Sequence, residues 1–305
     1  VSAGRFAPST TGLAHPGTLL SALLAWLDAR SRGLAFVLRL DDADPQRCQA
    51  AYSERMRRDL GWFGLDWDQE QSQRERQGAH EAALDRLAER GLLYACRCSR
   101  KSIRAHGQRT PDGGWQYPGT CRERIVRDWR QQLDALRVRL PAGRIVVQDE
   151  TAQDLSDDPT VSFGDPVLRR RDGAVAYQLS VIVDDHDAGV SRVIRGRDLA
   201  AHTATQCRLQ ELLDFRRPAY RHHFLLLEPQ GEKLAKFHQS VQLDHLRPRY
   251  QADELCGILA HLAGLLPAVQ PCTPHDLLTE FVWERVTMTD RALAWDGQSL
   301  EWGHV

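Results

Sequence analysis

Leu19, Leu20, Leu23, Leu24 and Leu27 recur at three-to-four spacing, behind Pro16 and ahead of Gly33, and so predict a helix. Proline suits a first helical turn and glycine a helix end, which places the boundaries near those two residues. Short apolar runs flank it. Arg5-Phe6-Ala7 is stopped by Pro8, and Ala35-Phe36-Val37-Leu38-Arg39-Leu40 is the near-continuous type expected of a strand buried on both faces. Strand, helix, strand in that order is a βαβ unit, and helical patterns over 51–62 and 80–91 continue the alternation. The acids Asp41, Asp42 and Asp44 follow the second strand, at the end where open α/β sheets take ligands.

From Cys96 to about Thr160 the texture changes to Cys, Gly, Arg and short Val/Ile runs, which predicts an inserted, partly β subdomain. The α/β pattern resumes over 174–183 and 190–195, followed by a helix over 203–213 and a strand-like Phe224-Leu225-Leu226-Leu227. Segments 253–266 and 274–286 read as helical. Four segments result: 1–95, the first half of an α/β catalytic domain; 96–160, the insertion; 161–240, the second half; and 241–305, a short helical region. No internal repeat or low-complexity tract interrupts them.

Composition narrows the class without naming a function. With 27% charged and 42% hydrophobic residues and a net charge of -1, the chain is neither collagen-like nor a long disordered polyelectrolyte. No apolar run approaches the length of a membrane span, and the N-terminus lacks a basic-then-apolar leader pattern, so a cytoplasmic setting is expected. The seven cysteines are then thiols or metal ligands rather than disulfides. Only Lys101, Lys233 and Lys236 are lysines, against 37 arginines. Where a compact, mobile ammonium is retained amid rigid guanidinium forks, its chemistry is worth testing.

Three constellations follow. His15-Pro16-Gly17-Thr18 stands where a loop enters the first helix, and unpaired N–H groups at a helix N-terminus suit phosphate. Alone, the tetrapeptide reads as an ordinary helix start. Gly231-Glu232-Lys233-Leu234-Ala235-Lys236 puts two ammonium groups on a glycine-opened loop, which is either a solvated turn or a device for following a triphosphate. Cys96-Arg97-Cys98 with Cys121 supplies three thiolates at zinc-like spacing; a fourth ligand is needed, and His106 and Tyr117 both offer one, His106 being the commoner type. Asp184-Asp185-His186-Asp187, ending at Gly189, reads as an acidic turn rather than a metal site. Cys48, Cys207, Cys256 and Cys272 have no ligand spacing and are expected in the core.

In order along residues 3–240, Arg5-Phe6-Ala7-Pro8-Ser9 with Gly12, His15-x-Gly17-Thr18, Arg39-Leu40-Asp41-Asp42-Ala43-Asp44-Pro45, Tyr177-Gln178-Leu179, Ile194-Arg195-Gly196-Arg197-Asp198 and Lys233-Leu234-Ala235-Lys236 resemble the signatures of class I glutamyl-tRNA synthetases. Only 69 residues follow Lys236, too few for a large helical anticodon-binding region. That, and the C-x-C with Y-x3-C pattern, resembles the short branch of the family, the glutamyl-Q tRNA(Asp) synthetases.

The resemblance implies a Rossmann-like α/β catalytic domain with a zinc-containing insertion and a short helical C-terminal region. It implies ATP-dependent activation of L-glutamate and transfer to queuosine in the anticodon of tRNA(Asp), by a monomer without membrane contact. Glutamate would be bound by Arg5, Phe6, Ala7, Pro8, Ser9, Asp41, Tyr177 and Arg195, with Asp41 facing the ammonium. ATP, carrying Mg²⁺, would meet His15, Gly17, Thr18 and Lys236; His15, Lys233 and Lys236 would be catalytic. Cys96, Cys98, Tyr117 and Cys121 would hold one structural Zn²⁺, with His106 as the alternative to Tyr117. The chain departs from the family at Asp41 (usually Glu), Thr10 (usually Pro) and Gln178 (usually Asn), and Ala235-Lys236-Phe237 lacks the usual Ser. Two rivals stay in view: a compact glutamyl-tRNA synthetase charging tRNA(Glu), and a tRNA-binding pseudo-synthetase, which the changes at Asp41 and Ala235 keep open. The small nucleotidyltransferases with similar histidine and lysine motifs lack the Arg5–Ser9 signature and the cysteine insertion.

Overall fold

The helix expected behind Pro16 forms as α1 (Pro16–Ser31) in the computed structural model, which describes residues 2–44, 46–231, 234 and 241–304. It joins β1 (Ala3–Phe6) to β2 (Ala35–Leu40), and α2 (Ala50–Trp62) joins β2 to β3 (Gln69–Ser72). Next come α3 (Gln77–Glu89), β4 (Leu93–Cys96), α4 (Arg100–His106), β5 (Ala135–Val138), α5 (Pro159–Ser162), β6 (Val167–Arg169) and α6 (Tyr177–Asp187). β7 (Val190–Gly196), α7 (Thr203–Leu212), β8 (Ala219–His223) and β9 (Leu226–Leu227) follow. The chain closes with α8 (Leu243–Leu246), α9 (Ala252–Leu262), α10 (Pro274–Leu278), β10 (Arg291–Trp295) and β11 (Leu300–His304). Among the described residues no helix is long and apolar enough to cross a membrane.

Two compact units result, one of Val1–Ser72, Val190–Arg197 and Arg221–Val305, the other of Gln73–Gly189 and Asp198–Tyr220. In the first, a five-stranded sheet runs β3-β2-β1-β7-β8, and β1 pairs in parallel with both β2 and β7. This is the Rossmann-like arrangement that the βαβ pattern predicts. β1 and β2 carry few polar residues because helices cover the sheet, and α1 is apolar nearly all round because it is buried nearly all round, Leu19 to Ala29 included.

The exception on α1 is Asp28, 1% exposed, which accepts hydrogen bonds from Arg192 Nε (2.6 Å), Arg192 Nη2 (3.0 Å), Arg32 Nε (3.1 Å) and Trp283 Nε1 (2.7 Å). Burial pushes its carboxyl up, but the bonds from Arg192, Trp283 and Arg32 outweigh that and hold it below the usual carboxylate range. One carboxylate thus ties α1 to β7 and to the turn at Trp283.

The second unit stacks an antiparallel sheet, β4-β5-β6, with α3, α6 and α7 around Leu84, Leu87, Leu136, Leu168, Leu179 and Leu209. The unit boundaries fall elsewhere than the four linear segments, because the apolar face of α3 joins this core rather than the first sheet.

Three local expectations need correcting. The pattern over 174–183 belongs to a helix, α6, whose buried face (Leu179, Val181, Ile182, Val183) also reads as a buried strand. The acids at 184–187 are not a free turn: they form the last helical turns of α6, with Asp184 fully buried against His80 Nε2 (2.8 Å) and Gln73 Nε2 (3.0 Å). Gly189, at φ 66°, comes just after the helix and marks its end. Toward the C-terminus the expected helix over 274–286 shortens to α10 and a 3₁₀ turn at Trp283–Arg285. Beyond it, β10 and β11 form a hairpin whose first strand also pairs with β9. The alternation around buried Leu293 and an Asp296 carboxylate that caps the Gln298 and Ser299 N–H groups build that hairpin. The four cysteines without ligand spacing are buried, as expected.

Candidate functional site

β1, β2 and β7 run parallel in the first unit, so the residues at and beyond their C-terminal ends share one edge of the sheet. On β1, Arg5 is buried and its Nη1 donates to the Ile194 carbonyl at 3.1 Å. Its neighbour in that contact, Arg195 on β7, is also buried, and Arg195 Nε donates to His222 Nε2 on β8 at 3.0 Å. Just past β1, Ser9 bridges in parallel to Asp41 just past β2, and the Asp41 N–H donates to the Pro8 carbonyl at 3.0 Å. Phe6 and Pro8 are buried, Ala7 half-buried and Ser9 exposed.

The Asp41 carboxylate accepts from Arg39 Nε at 2.8 Å, with Arg39 2% exposed and Asp41 13%. Asp42 next to it turns inward and takes the Ser72 hydroxyl on both oxygens, at 2.9 and 2.7 Å.

His15 stands at the entrance to α1. Its carbonyl accepts the first helical N–H groups, from Thr18 (2.8 Å) and Leu19 (3.2 Å), and its own N–H donates to Thr18 Oγ1 at 3.4 Å. The imidazole lies against the backbone of Gly17: a Cβ there would be 3.0 Å from Cε1 and 3.1 Å from Nδ1. Glycine therefore lets the ring settle over the helix start, where the helix dipole favours an anion. Proline at the first helical position removes an N–H that the helix would leave unpaired.

The first unit thus carries Arg5 to Ser9, His15, Gly17, Thr18, Asp41 and Arg195. Tyr177 opens α6 in the second unit with its side chain exposed. Lys233 and Lys236 lie outside the described residues.

A second site occupies the other unit. The Sγ atoms of Cys96, Cys98 and Cys121 lie within 4.8 Å of one another, and Cys98 to Cys121 is 3.7 Å. Bond lengths of about 2.3 Å to a tetrahedral metal would separate thiolates by about 3.8 Å, so the spacing suits a metal ion. The Tyr117 hydroxyl is 3.6 Å from Cys96 Sγ and accepts the Cys121 N–H at 2.8 Å. His106, the alternative fourth ligand, is exposed at the end of α4 and turns Nδ1 to the Ser102 carbonyl at 3.0 Å.

The frame around the thiols is tight. Tyr117 N–H donates to the Phe163 carbonyl (2.9 Å), and a Cβ on Gly164 (φ 74°) would lie 2.2 Å from the Tyr117 carbonyl oxygen. The Arg137 guanidinium sits 3.7 Å over the Tyr117 ring centre. Burial, and hydrogen bonding to Cys121, push the Cys98 thiol up to about 11. Burial also works against the Cys121 thiolate, but the Arg97 backbone N–H and the neighbouring thiols bring it down to about 7.

Arg39 and His222 are the residues that the motif reading left without a role. Arg39 stood inside a quoted motif, and a charged residue in an otherwise apolar strand was the available signal. His222 carried none beyond being a polar residue at the end of a strand.

The model of the family "tRNA synthetases class I (E and Q), catalytic domain" matches residues 3–256. A glutamyl-Q tRNA(Asp) synthetase from Nitratidesulfovibrio vulgaris is 40% identical over 290 residues, covering 90% of each chain. Counterparts from Symbiobacterium thermophilum and Chromobacterium violaceum are 39% and 42% identical, covering 93% and 87% of each chain. A glutamate tRNA ligase structure from Elizabethkingia meningosepticum superposes with a TM-score of 0.77 at 22% identity, over 94% of this chain and 66% of that longer one. That likeness shows the fold.

Proposed function

The chain belongs to the glutamyl-Q tRNA(Asp) synthetases, a class I family, and on that premise we propose how its residues carry the reaction. It is an ATP-dependent ligase that activates L-glutamate and transfers it to queuosine in tRNA(Asp). The glutamate α-carboxylate attacks the α-phosphorus of ATP in line, a P–O bond to pyrophosphate breaks, and glutamyl adenylate forms. The acceptor group on queuosine then attacks the acyl carbon and AMP leaves. No protein nucleophile is required; positioning and cationic stabilisation lower the barrier.

The observation that carries this reading is the pair of buried guanidinium groups, Arg5 and Arg195, at the sheet edge that also bears Asp41. Two cationic forks and one carboxylate match an amino acid with two carboxylates and one ammonium. In our reading Arg5 and Arg195 take the carboxylates, Asp41 takes the ammonium, and Ser9 lies beside Asp41 at the edge of the pocket. Because Arg39 fixes the Asp41 carboxylate, the shorter side chain is held in place where the family usually carries Glu. His15, the Gly17 backbone and Thr18 hold the ATP phosphates, which bring Mg²⁺ with them. Lys236 neutralises charge on the departing pyrophosphate, and Lys233 assists.

Zinc is the metal we assign to Cys96, Cys98 and Cys121, with the Tyr117 oxygen as fourth ligand. Its distance from Cys96 fits a mixed sulfur–oxygen tetrahedron, and the Arg137 guanidinium packs over the ring. Zinc there would be structural, joining the end of β4 to the 117–121 loop.

Glutamate-dependent exchange of pyrophosphate into ATP, measured without tRNA, tests the first step. Exchange that needs glutamate and falls sharply in Lys236→Ala supports it; absence of exchange supports a tRNA-binding pseudo-synthetase instead.

A further inference from the structure

We propose that His222 is a positioning residue for glutamate selection: by holding Arg195 at its Nε it sets the orientation in which that guanidinium meets a substrate carboxylate. The inference rests on the assignment of Arg195 to the glutamate pocket. Arg195 Nε and His222 Nε2 are 3.0 Å apart, and the two residues are 5% and 1% exposed. A guanidinium has five N–H donors and no acceptor, so the imidazole nitrogen facing it must be the unprotonated one. His222 is therefore neutral, with its proton on Nδ1.

Three adjacent strands cooperate in this arrangement. Arg5 on β1 reaches the carbonyl next to Arg195 on β7, and His222 stands on β8, the next strand in the sheet. A buried arginine has many rotamers, and the His222 contact at its Nε restricts them in a low-dielectric setting. Asp or Glu at position 222 would also orient the guanidinium, but it would cancel the charge that a carboxylate ligand needs. A neutral acceptor orients Arg195 without adding a negative charge beside it.

The test is glutamate-dependent pyrophosphate exchange by the full chain, comparing His222→Leu, His222→Gln and Arg195→Ala. Loss of the acceptor in His222→Leu should raise the glutamate KM on the order of tenfold while leaving the ATP KM unchanged. His222→Gln, whose amide oxygen can accept from Nε, should bring the glutamate KM back near wild type. A wild-type glutamate KM in His222→Leu, or equal rises in both KM values, would overturn the inference. If Arg195→Ala leaves the glutamate KM unchanged, the pocket assignment itself fails and the inference falls with it. A second readout needs no variant: in ¹⁵N-histidine-labelled protein the His222 Nε2 resonance should be that of an unprotonated nitrogen at neutral pH. A proton found on Nε2 would contradict the proposal even if the variants fail to fold.

Discussion

Replacing Tyr117 by Phe and, separately, His106 by Ala distinguishes two zinc sites that the spacing of the cysteines leaves open. The Tyr117 hydroxyl accepts the buried Cys121 N–H at 2.8 Å and lies 3.6 Å from Cys96 Sγ. Its removal leaves that N–H without a partner, at a cost of about 1–3 kcal/mol. It also takes one of four donors from the metal. Partners outside the ligand set are themselves worth about 10–100-fold in metal affinity, so the loss should be at least of that order. His106, exposed and bonded to the Ser102 carbonyl alone among the described contacts, should change stability by less than about 0.5 kcal/mol. The assay is zinc content by atomic emission after dialysis against graded chelator, alongside thermal unfolding of the same samples. Tyr117→Phe should release zinc at lower chelator and unfold earlier, with His106→Ala matching wild type. The opposite pattern, zinc lost from His106→Ala and retained by Tyr117→Phe, would refute the geometry argued here.

Further expectations bear on the first unit. Asp28→Ala removes the buried carboxylate that takes the Arg192 guanidinium and the Trp283 N–H, and should lower stability by about 3–5 kcal/mol, read by urea unfolding. The Asp28 carboxyl is depressed in the folded protein, so its contribution is complete above about pH 4 and is lost as pH falls through the lowered folded value. An acid-unfolding curve unchanged by Asp28→Asn would contradict that. Asp41→Ala should reduce exchange kcat/KM by about 10- to 100-fold, through loss of the ammonium contact and release of Arg39; activity equal to wild type would remove Asp41 from the pocket. Gly17→Ala pushes a methyl to within 3.0 Å of the His15 ring and should lower exchange kcat about tenfold by displacing the imidazole. Circular dichroism should show that variant still folded.

Much of this was legible before the fold was known, and the reason differs between the parts. α1 and β2 were readable because a helix buried on every side and a strand covered on both faces leave unambiguous apolar runs between proline and glycine signals. The cysteine cluster was readable because chelation from C-x-C is local. The place of the Tyr117 hydroxyl beside it was not readable from spacing, since the Tyr117 backbone is set by its bond to Phe163 and the close approach of Gly164. Buried charges were the least legible. Asp184 looks like part of a surface turn until His80 and Gln73, more than a hundred positions away, close over it. His222 likewise gains a role only when the neighbouring strand brings it to Arg195. The C-terminal hairpin was missed because 291–295 is short, and its pairing to Leu226 and Leu227 is non-local.

Transfer of labelled glutamate to two preparations of tRNA(Asp), one bearing queuosine and one unmodified, both trimmed enzymatically of the 3′-terminal adenosine, addresses the central claim most directly. The account predicts that label enters the queuosine-bearing preparation despite the destroyed 3′ terminus and leaves the unmodified one bare. Label that disappears on trimming of the 3′ end, or that enters both preparations equally, would contradict it.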